Sequence, residues 1–122
     1  MAYLDHLTIA VSDLARSRSW YTSSLGLRVE FDVPAHRATA LQDSGGFTLF
    51  LEERPPDPHW KPSCILTFRV DDVASAHRAL SARGFPFENP PQRLFWGYGA
   101  ELRDPDGYLI RLWDKVSMRE KG

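Results

Sequence analysis

The feature that most constrains the fold of this chain is a repeat. DHLTIAVSDLARSRSWYTSSLGLRVEF, starting at Asp5, is echoed by SCILTFRVDDVASAHRALSARGFPFEN, starting at Ser63. With Val11 set on Val70, Ser12-Asp13-Leu14-Ala15 falls on Asp71-Asp72-Val73-Ala74. Each copy opens with a β-rich run, residues 3–11 and 64–70. An aspartate able to cap a helix follows, and the helical stretch after it stops near Gly26 or Gly84. Further strands are expected at about 27–33, 37–42 and 46–53 in the first copy, and at about 85–88, 94–103 and 107–114 in the second.

The order β-α-β-β-β, twice, has too few copies for a solenoid and fits an internal duplication. Between the copies, RPPDPHWKPS carries four prolines in ten residues, so it can continue neither strand nor helix. The expectation is one α+β domain over residues 1–122, with modules of about 1–54 and 63–115 joined by a linker at 55–62.

Charge and cysteine content narrow the function. A formal net charge of −1 gives no electrostatic footprint for nucleic acid or an anionic membrane. The one cysteine, Cys64, cannot form an internal disulfide and suits a reducing compartment, where it is expected to be an inert buried thiol. MAYLDHLTIAVSDL has Asp5 and His6 within its apolar stretch and no basic leader, and no apolar run approaches the ~20 residues of a membrane span. A soluble cytoplasmic protein is expected.

GYLIRLWD, residues 107–114, poses the sharpest functional question. Alternation puts Tyr108, Ile110 and Leu112 on one strand face and Leu109, Arg111 and Trp113 on the other. A guanidinium between leucine and tryptophan needs a partner. Either Arg111 meets an anionic ligand, or it pairs with Glu52, which shares a strand face with Phe50.

The repeat itself groups four positions. His6 falls on Ile65, and TLFLEE (48–53) falls on LIRLWD (109–114), which matches Phe50 with Arg111. If a two-fold relates the copies, these four converge. One histidine with a phenyl ring, an isoleucine and a guanidinium do not make a metal site, which wants three or four His, Cys or carboxylate ligands.

Three stretches resemble a known superfamily: DHLTIAVSDLARSRSWYTSSLGL, GGFTLFLEE and RDPDGYLIRLWD. The chain is similar over nearly its whole length to the vicinal oxygen chelate group, which includes glyoxalase I, extradiol dioxygenases, fosfomycin-inactivating enzymes and bleomycin resistance proteins. Asp104-Pro105-Asp106-Gly107 also has a plain local meaning, a tight reversal between two strands. The resemblance implies curved mixed sheets in an open barrel with helices outside. It also implies a homodimer whose cavities lie between modules of two chains, with His6 and Phe50 of one facing Ile65 and Arg111 of the other.

In the metal-using members of that group, the four ligands fall where His6, Phe50, Ile65 and Arg111 stand here, and only His6 keeps a ligand type. FTLFLEE and FWGYGAELRDPDGYLIRLW are more similar to the bleomycin resistance type, which binds its ligand without metal. The resemblance therefore implies a metal-free protein that holds a small molecule, antibiotics among the candidates, with no cofactor. The alternative is a metal-dependent lyase or dioxygenase that uses His6 with unusual ligands such as Glu52 or Glu101.

The residues expected to line the cleft are His6, Phe50, Ile65, Trp96, Tyr98, Arg111 and Trp113. Aromatic faces with a polar edge make good walls for a flat ligand, though such stripes also build cores. His6 on its half-apolar strand reads equally as a hydrogen-bonded core residue. His77 joins Val73, Ala76 and Leu80 at helical spacing and reads as packing. Trp20 and Tyr21 read as helix–sheet packing, and Trp60 lies in the connector.

Overall fold

Both helices of the repeat begin where an aspartate takes up backbone N–H groups that the helix cannot satisfy itself. Asp13 accepts from Arg16 N at 3.0 Å and starts α1, Leu14–Ser24. Asp72 accepts from Ala74 N at 3.0 Å and Ser75 N at 3.2 Å and starts α2, Val73–Ala82. Beyond their ends lie Gly26 and Gly84 at φ of 70° and 89°, where a side chain would be strained.

A second carboxylate reaches the first turn of each helix. Glu53 Oε2 accepts from Leu14 N at 2.9 Å, and Asp114 Oδ2 accepts from Val73 N at 2.7 Å. Leu14 and Val73 are matching positions of the repeat, as are Glu53 and Asp114. The duplication thus extends to individual hydrogen bonds.

The computed structural model describes residues 1–122, and the chain divides into two units, Met1–Lys61 and Pro62–Gly122. The first contains β1 (His6–Val11), β2 (Arg28–Val33), a 3₁₀ turn at Pro34–His36, β3 (Ala38–Gln42) and β4 (Thr48–Glu53). Its sheet order is β1-β4-β3-β2, with β1 parallel to β4 and the remaining pairs antiparallel. The second unit contains β5 (Ile65–Arg69), β6 (Phe87–Leu94), β7 (Gly97–Arg103), β8 (Leu109–Trp113) and α3 (Lys115–Lys121). Its order, β5-β8-β7-β6, repeats the first, with β5 parallel to β8. The class is α+β, two βαβββ modules, and each mixed sheet keeps two edges rather than closing on itself.

In each unit the helix crosses from the first strand to the far edge and covers one sheet face. Ile9, Leu49, Leu51 and Leu41 are buried with Tyr21 of α1 in the first unit. Leu66, Ile110, Leu112 and Leu102 are buried with Val73 and Leu80 of α2 in the second. Each fully buried leucine or isoleucine contributes about 1.5–3 kcal/mol. His77 packs its ring against Phe87 at 4.7 Å, and Trp20 meets Tyr21 edge-on at 4.9 Å.

Four expectations are corrected. The strand expected at about 85–88 runs on as β6 to Leu94 through Pro90-Pro91. This is an edge strand, where a missing N–H is tolerated, and its pairing with β7 shifts register between Asn89 and Gln92. The strand expected at 94–103 begins only at Gly97, because Phe95 and Trp96 form the turn between β6 and β7. Helix α3 extends the second module beyond residue 115, started by Asp114, which accepts from Ser117 N at 2.7 Å. Cys64 is half-buried rather than buried.

Candidate functional site

The helix-free face of each sheet collects the residues singled out from the sequence. In the first unit, pairing places His6 beside Thr48, Thr8 beside Phe50, and Ala10 beside Glu52, so these side chains share one face. The His6 and Phe50 rings lie 4.8 Å apart, and Phe31, brought in from β2, meets Phe50 edge-on at 5.6 Å. The result is a row of three rings over Ala40, which sits between Phe31 and Phe50 in the register. The His6 Nδ1 lies 2.9 Å from Asp5 Oδ2.

In the second unit, Arg111 stands at the centre of the corresponding face. Its Nε donates to Glu101 Oε2 at 3.0 Å, and the two side chains have only 15% and 16% relative exposure. Glu101 is the direct cross-strand neighbour of Arg111 in the β7–β8 ladder. Glu52, the partner expected from the sequence, instead lies 2.8 Å from Arg54. The guanidinium carbon is 5.1 Å from the Trp96 ring centre and 5.3 Å from that of Phe95. Trp96 can lie there because residue 99 is glycine: a Cβ on Gly99 would meet the Trp96 ring edge and the Leu112 carbonyl oxygen.

This arrangement fixes Arg111 by one charged hydrogen bond and two aromatic contacts. Its terminal amino groups remain as donors. The Trp96 Nε1–H, also a donor, is buried without a hydrogen-bond partner. Ile65 pairs with Leu109 beside Arg111 and is 47% exposed, and Trp113 alternates onto the same face.

Tyr98 does not join this group. Three residues from Glu101 on β7, it points to the opposite side of the sheet and packs on α3. There Lys121 Nζ lies 5.3 Å from its ring centre, its backbone N–H reaches Met118 Sδ at 3.4 Å, and its hydroxyl donates to the Pro91 carbonyl at 3.4 Å. Phe31 and Phe95 were missed from the sequence. Phe31 follows directly on a bulge, between Val29 and Phe31, that obscures its face, and Phe95 sits in a turn where alternation carries no information.

The donor set does not suit a metal. Phe50, Ile65 and Arg111 have no lone pair to offer, and no three His, Cys, Asp or Glu side chains group so as to hold an ion.

Residues 3–112 match the model of the Glyoxalase/Bleomycin resistance protein/Dioxygenase superfamily. The uncharacterized protein YraH of Bacillus subtilis (strain 168) is 27% identical over 121 residues, covering 88% of this chain and 94% of that protein. Among solved structures, an integron cassette protein from the mobile metagenome of the Halifax Harbour sewage outfall matches with a TM-score of 0.78 at 23% identity, covering 92% of this chain and 97% of the other. A glyoxylase/bleomycin resistance protein/dioxygenase domain from Frankia sp. EAN1pec matches with a TM-score of 0.74 at 22% identity, over 93% and 92% of the two chains. At these identities the structural likeness is one of fold.

Proposed function

The chain belongs to the Glyoxalase/Bleomycin resistance protein/Dioxygenase superfamily, and on that premise we propose that it binds a small aromatic molecule without a metal, sequestering it rather than transforming it. The observation that carries this reading is the convergence of donors at Arg111. The guanidinium edge and the unpartnered Trp96 Nε1–H both seek an acceptor, and Phe95 and Trp96 form aromatic surface beside them. A flat ring carrying a carboxylate or carbonyl oxygen supplies both needs. Satisfying a buried donor recovers about 1–3 kcal/mol, and covering the rings adds the apolar contribution.

In this reading Arg111 and Trp96 orient the ligand, while Ile65 and Trp113 provide apolar contact. His6 and Phe50 are the corresponding contacts on the first sheet. Glu101 neutralises much of the Arg111 charge, so affinity rests on shape and hydrogen bonding more than on net attraction. That pairing also removes the objection an isolated arginine would raise against a cationic drug, and antibiotics stay among the candidate ligands. Assembly as a homodimer is part of the proposal.

A thermal-shift screen of aromatic carboxylates, followed by calorimetry on the hits, tests the reading. A ligand at about 100 times its Kd stabilises the fold by about 2.7 kcal/mol. Binding that survives chelation and falls in Arg111→Met supports the proposal, whereas no stabilisation by any aromatic acceptor compound contradicts it. Sedimentation tests the dimer: a mass of two chains is expected, and a single-chain mass across the concentration range contradicts it.

A further inference from the structure

Glu101 does more on the second sheet than hold Arg111 in place. Of its two carboxylate oxygens, Oε2 accepts from Arg111 Nε at 3.0 Å, while Oε1 has no hydrogen-bond partner and is not closed off from solvent. Asn89, its neighbour on β6, turns its amide to the Pro90 carbonyl instead. The two Arg111 Nη groups also lack partners and are open. Oε1 is covalently fixed beside Oε2, and the Nη groups beside Nε, so they flank one and the same hydrogen bond. The pair thus presents an acceptor next to donors, with the buried Trp96 Nε1–H as a further donor.

A carboxylate ligand meets only part of this pattern. Its oxygens suit the Nη groups and the indole, but it has no hydrogen for Oε1, and its charge is set against that of Glu101. Little on the face offsets that repulsion. Arg103 is taken up by Glu88 at 2.6 Å, and Arg69, on the exposed edge strand β5 beside Trp113, is screened by water. An ester or ketone escapes the repulsion but covers Oε1 without pairing it, which is costly. A ring edge with an N–H next to a C=O meets every group. Its oxygen has two lone pairs, one for an Nη–H and one for the Trp96 Nε1–H, and its N–H donates to Oε1.

We infer that the ligand class of this site is the uncharged aromatic amide, a carboxamide or a lactam fused to the ring, and that Glu101 selects it over the carboxylate. The inference rests on the reading of Arg111 and Trp96 as ligand contacts and adds the specificity that their neighbour imposes. A site built to receive an N–H rejects the analogue that lacks it, because its own acceptor is then left unpaired.

Three probes share one ring body and differ only at its edge: 2-naphthamide has donor and acceptor, 2-naphthoate is an anionic acceptor, and methyl 2-naphthoate is a neutral acceptor. The readout is the Trp96 indole N–H resonance in the full chain, assigned by its loss in Trp96→Phe. 2-Naphthamide is expected to shift that resonance saturably, with an affinity above either other probe by about fivefold or more. In Glu101→Gln the side-chain amide can still accept from Arg111 Nε, and it then turns an N–H outward where Oε1 stood. The ranking is therefore expected to invert, with 2-naphthoate the tightest. Wild-type protein that binds 2-naphthoate or the ester as tightly as 2-naphthamide overturns the assignment while leaving ring binding at Arg111 intact, and this ranking decides the matter without the variant. A Glu101→Gln protein that keeps the preference for 2-naphthamide overturns it equally. No response to any of the three overturns it together with the reading on which it rests.

Discussion

Arg111 and Glu101 are joined across the β7–β8 ladder by a hydrogen bond of 3.0 Å between Nε and Oε2, both side chains largely withdrawn from solvent. The carboxylate holds one edge of the guanidinium and leaves the terminal amino groups to point elsewhere. Arg111→Met is expected to weaken an aromatic carboxylate more than tenfold, or about 1.4 kcal/mol. It also leaves Glu101 without its partner, which costs about 1–3 kcal/mol of stability. Arg111→Met combined with Glu101→Gln is expected to recover stability but not binding. Calorimetric titration together with chemical denaturation of the three variants checks both halves.

Gly99 makes room for the Trp96 ring over the sheet. Gly99→Ala is expected to displace Trp96 and to cost about 1–3 kcal/mol from overpacking. Ligand affinity should fall in the same variant, because Arg111 loses one of its two aromatic supports. Denaturant midpoints and a ligand titration measure the two effects; a variant with wild-type values in both would show that the ring can relocate freely.

Asp114 joins three backbone groups and a hydroxyl: Val73 N at 2.7 Å, Ser117 N at 2.7 Å and Ser117 Oγ at 3.0 Å, with Val116 N contributing as well. Asp114→Asn is expected to cost about 1–3 kcal/mol, since one amide oxygen cannot replace two carboxylate oxygens. Both α2 and α3 lose a cap, so the loss of far-UV helical signal should begin at lower denaturant.

The same residue predicts a dependence on pH. Burial alone would raise the Asp114 pKa, but the hydrogen bonds from Ser117, Val73 and Val116 together outweigh it and pull it below the ordinary carboxylate value. Asp32 is also lowered, chiefly by the Thr39 hydroxyl, against burial and with help from Arg18. A carboxyl lowered in the folded state contributes stability that is present above its unfolded pKa, about 3.9, and is lost as pH falls through the folded value. Stability is therefore expected to decline on acidification below about pH 4. The decline should be shallower in Asp114→Asn, as denaturation at a series of pH values will show.

The framework was legible because it rests on local chemistry stated twice. Asp13 and Asp72 as caps, Gly26 and Gly84 as stops, and the Asp104–Gly107 reversal all depend on neighbours in sequence. The two faces of β8 were legible too, since Tyr108, Ile110 and Leu112 are buried while the alternate residues are half-buried. The Arg111 partner was missed although the signal existed. Asp104 pairs with Tyr108 across the turn, and counting outward from there brings Glu101 opposite Arg111. The full length of β6 was not legible because Pro90 and Pro91 do not suit the interior of a sheet, a restriction that an edge strand escapes. Helix α3, seven residues long, is too short for periodicity to declare, and its marker was the Asp114 cap. Tyr98 lies an odd three residues from Glu101 on β7, and it is that spacing, legible once Glu101 is set opposite Arg111, which puts its side chain on the other face.

The central claim is that the protein holds its ligand through Arg111 and Trp96 with no metal. Its most direct test is calorimetric titration of an aromatic carboxylate hit into chelator-stripped protein, repeated after adding zinc, nickel, iron or manganese. Equal affinity in every titration, with loss in Arg111→Met and little change in His6→Ala, is the result predicted here. Affinity or turnover that appears only with a stoichiometric divalent ion and vanishes in His6→Ala would contradict it.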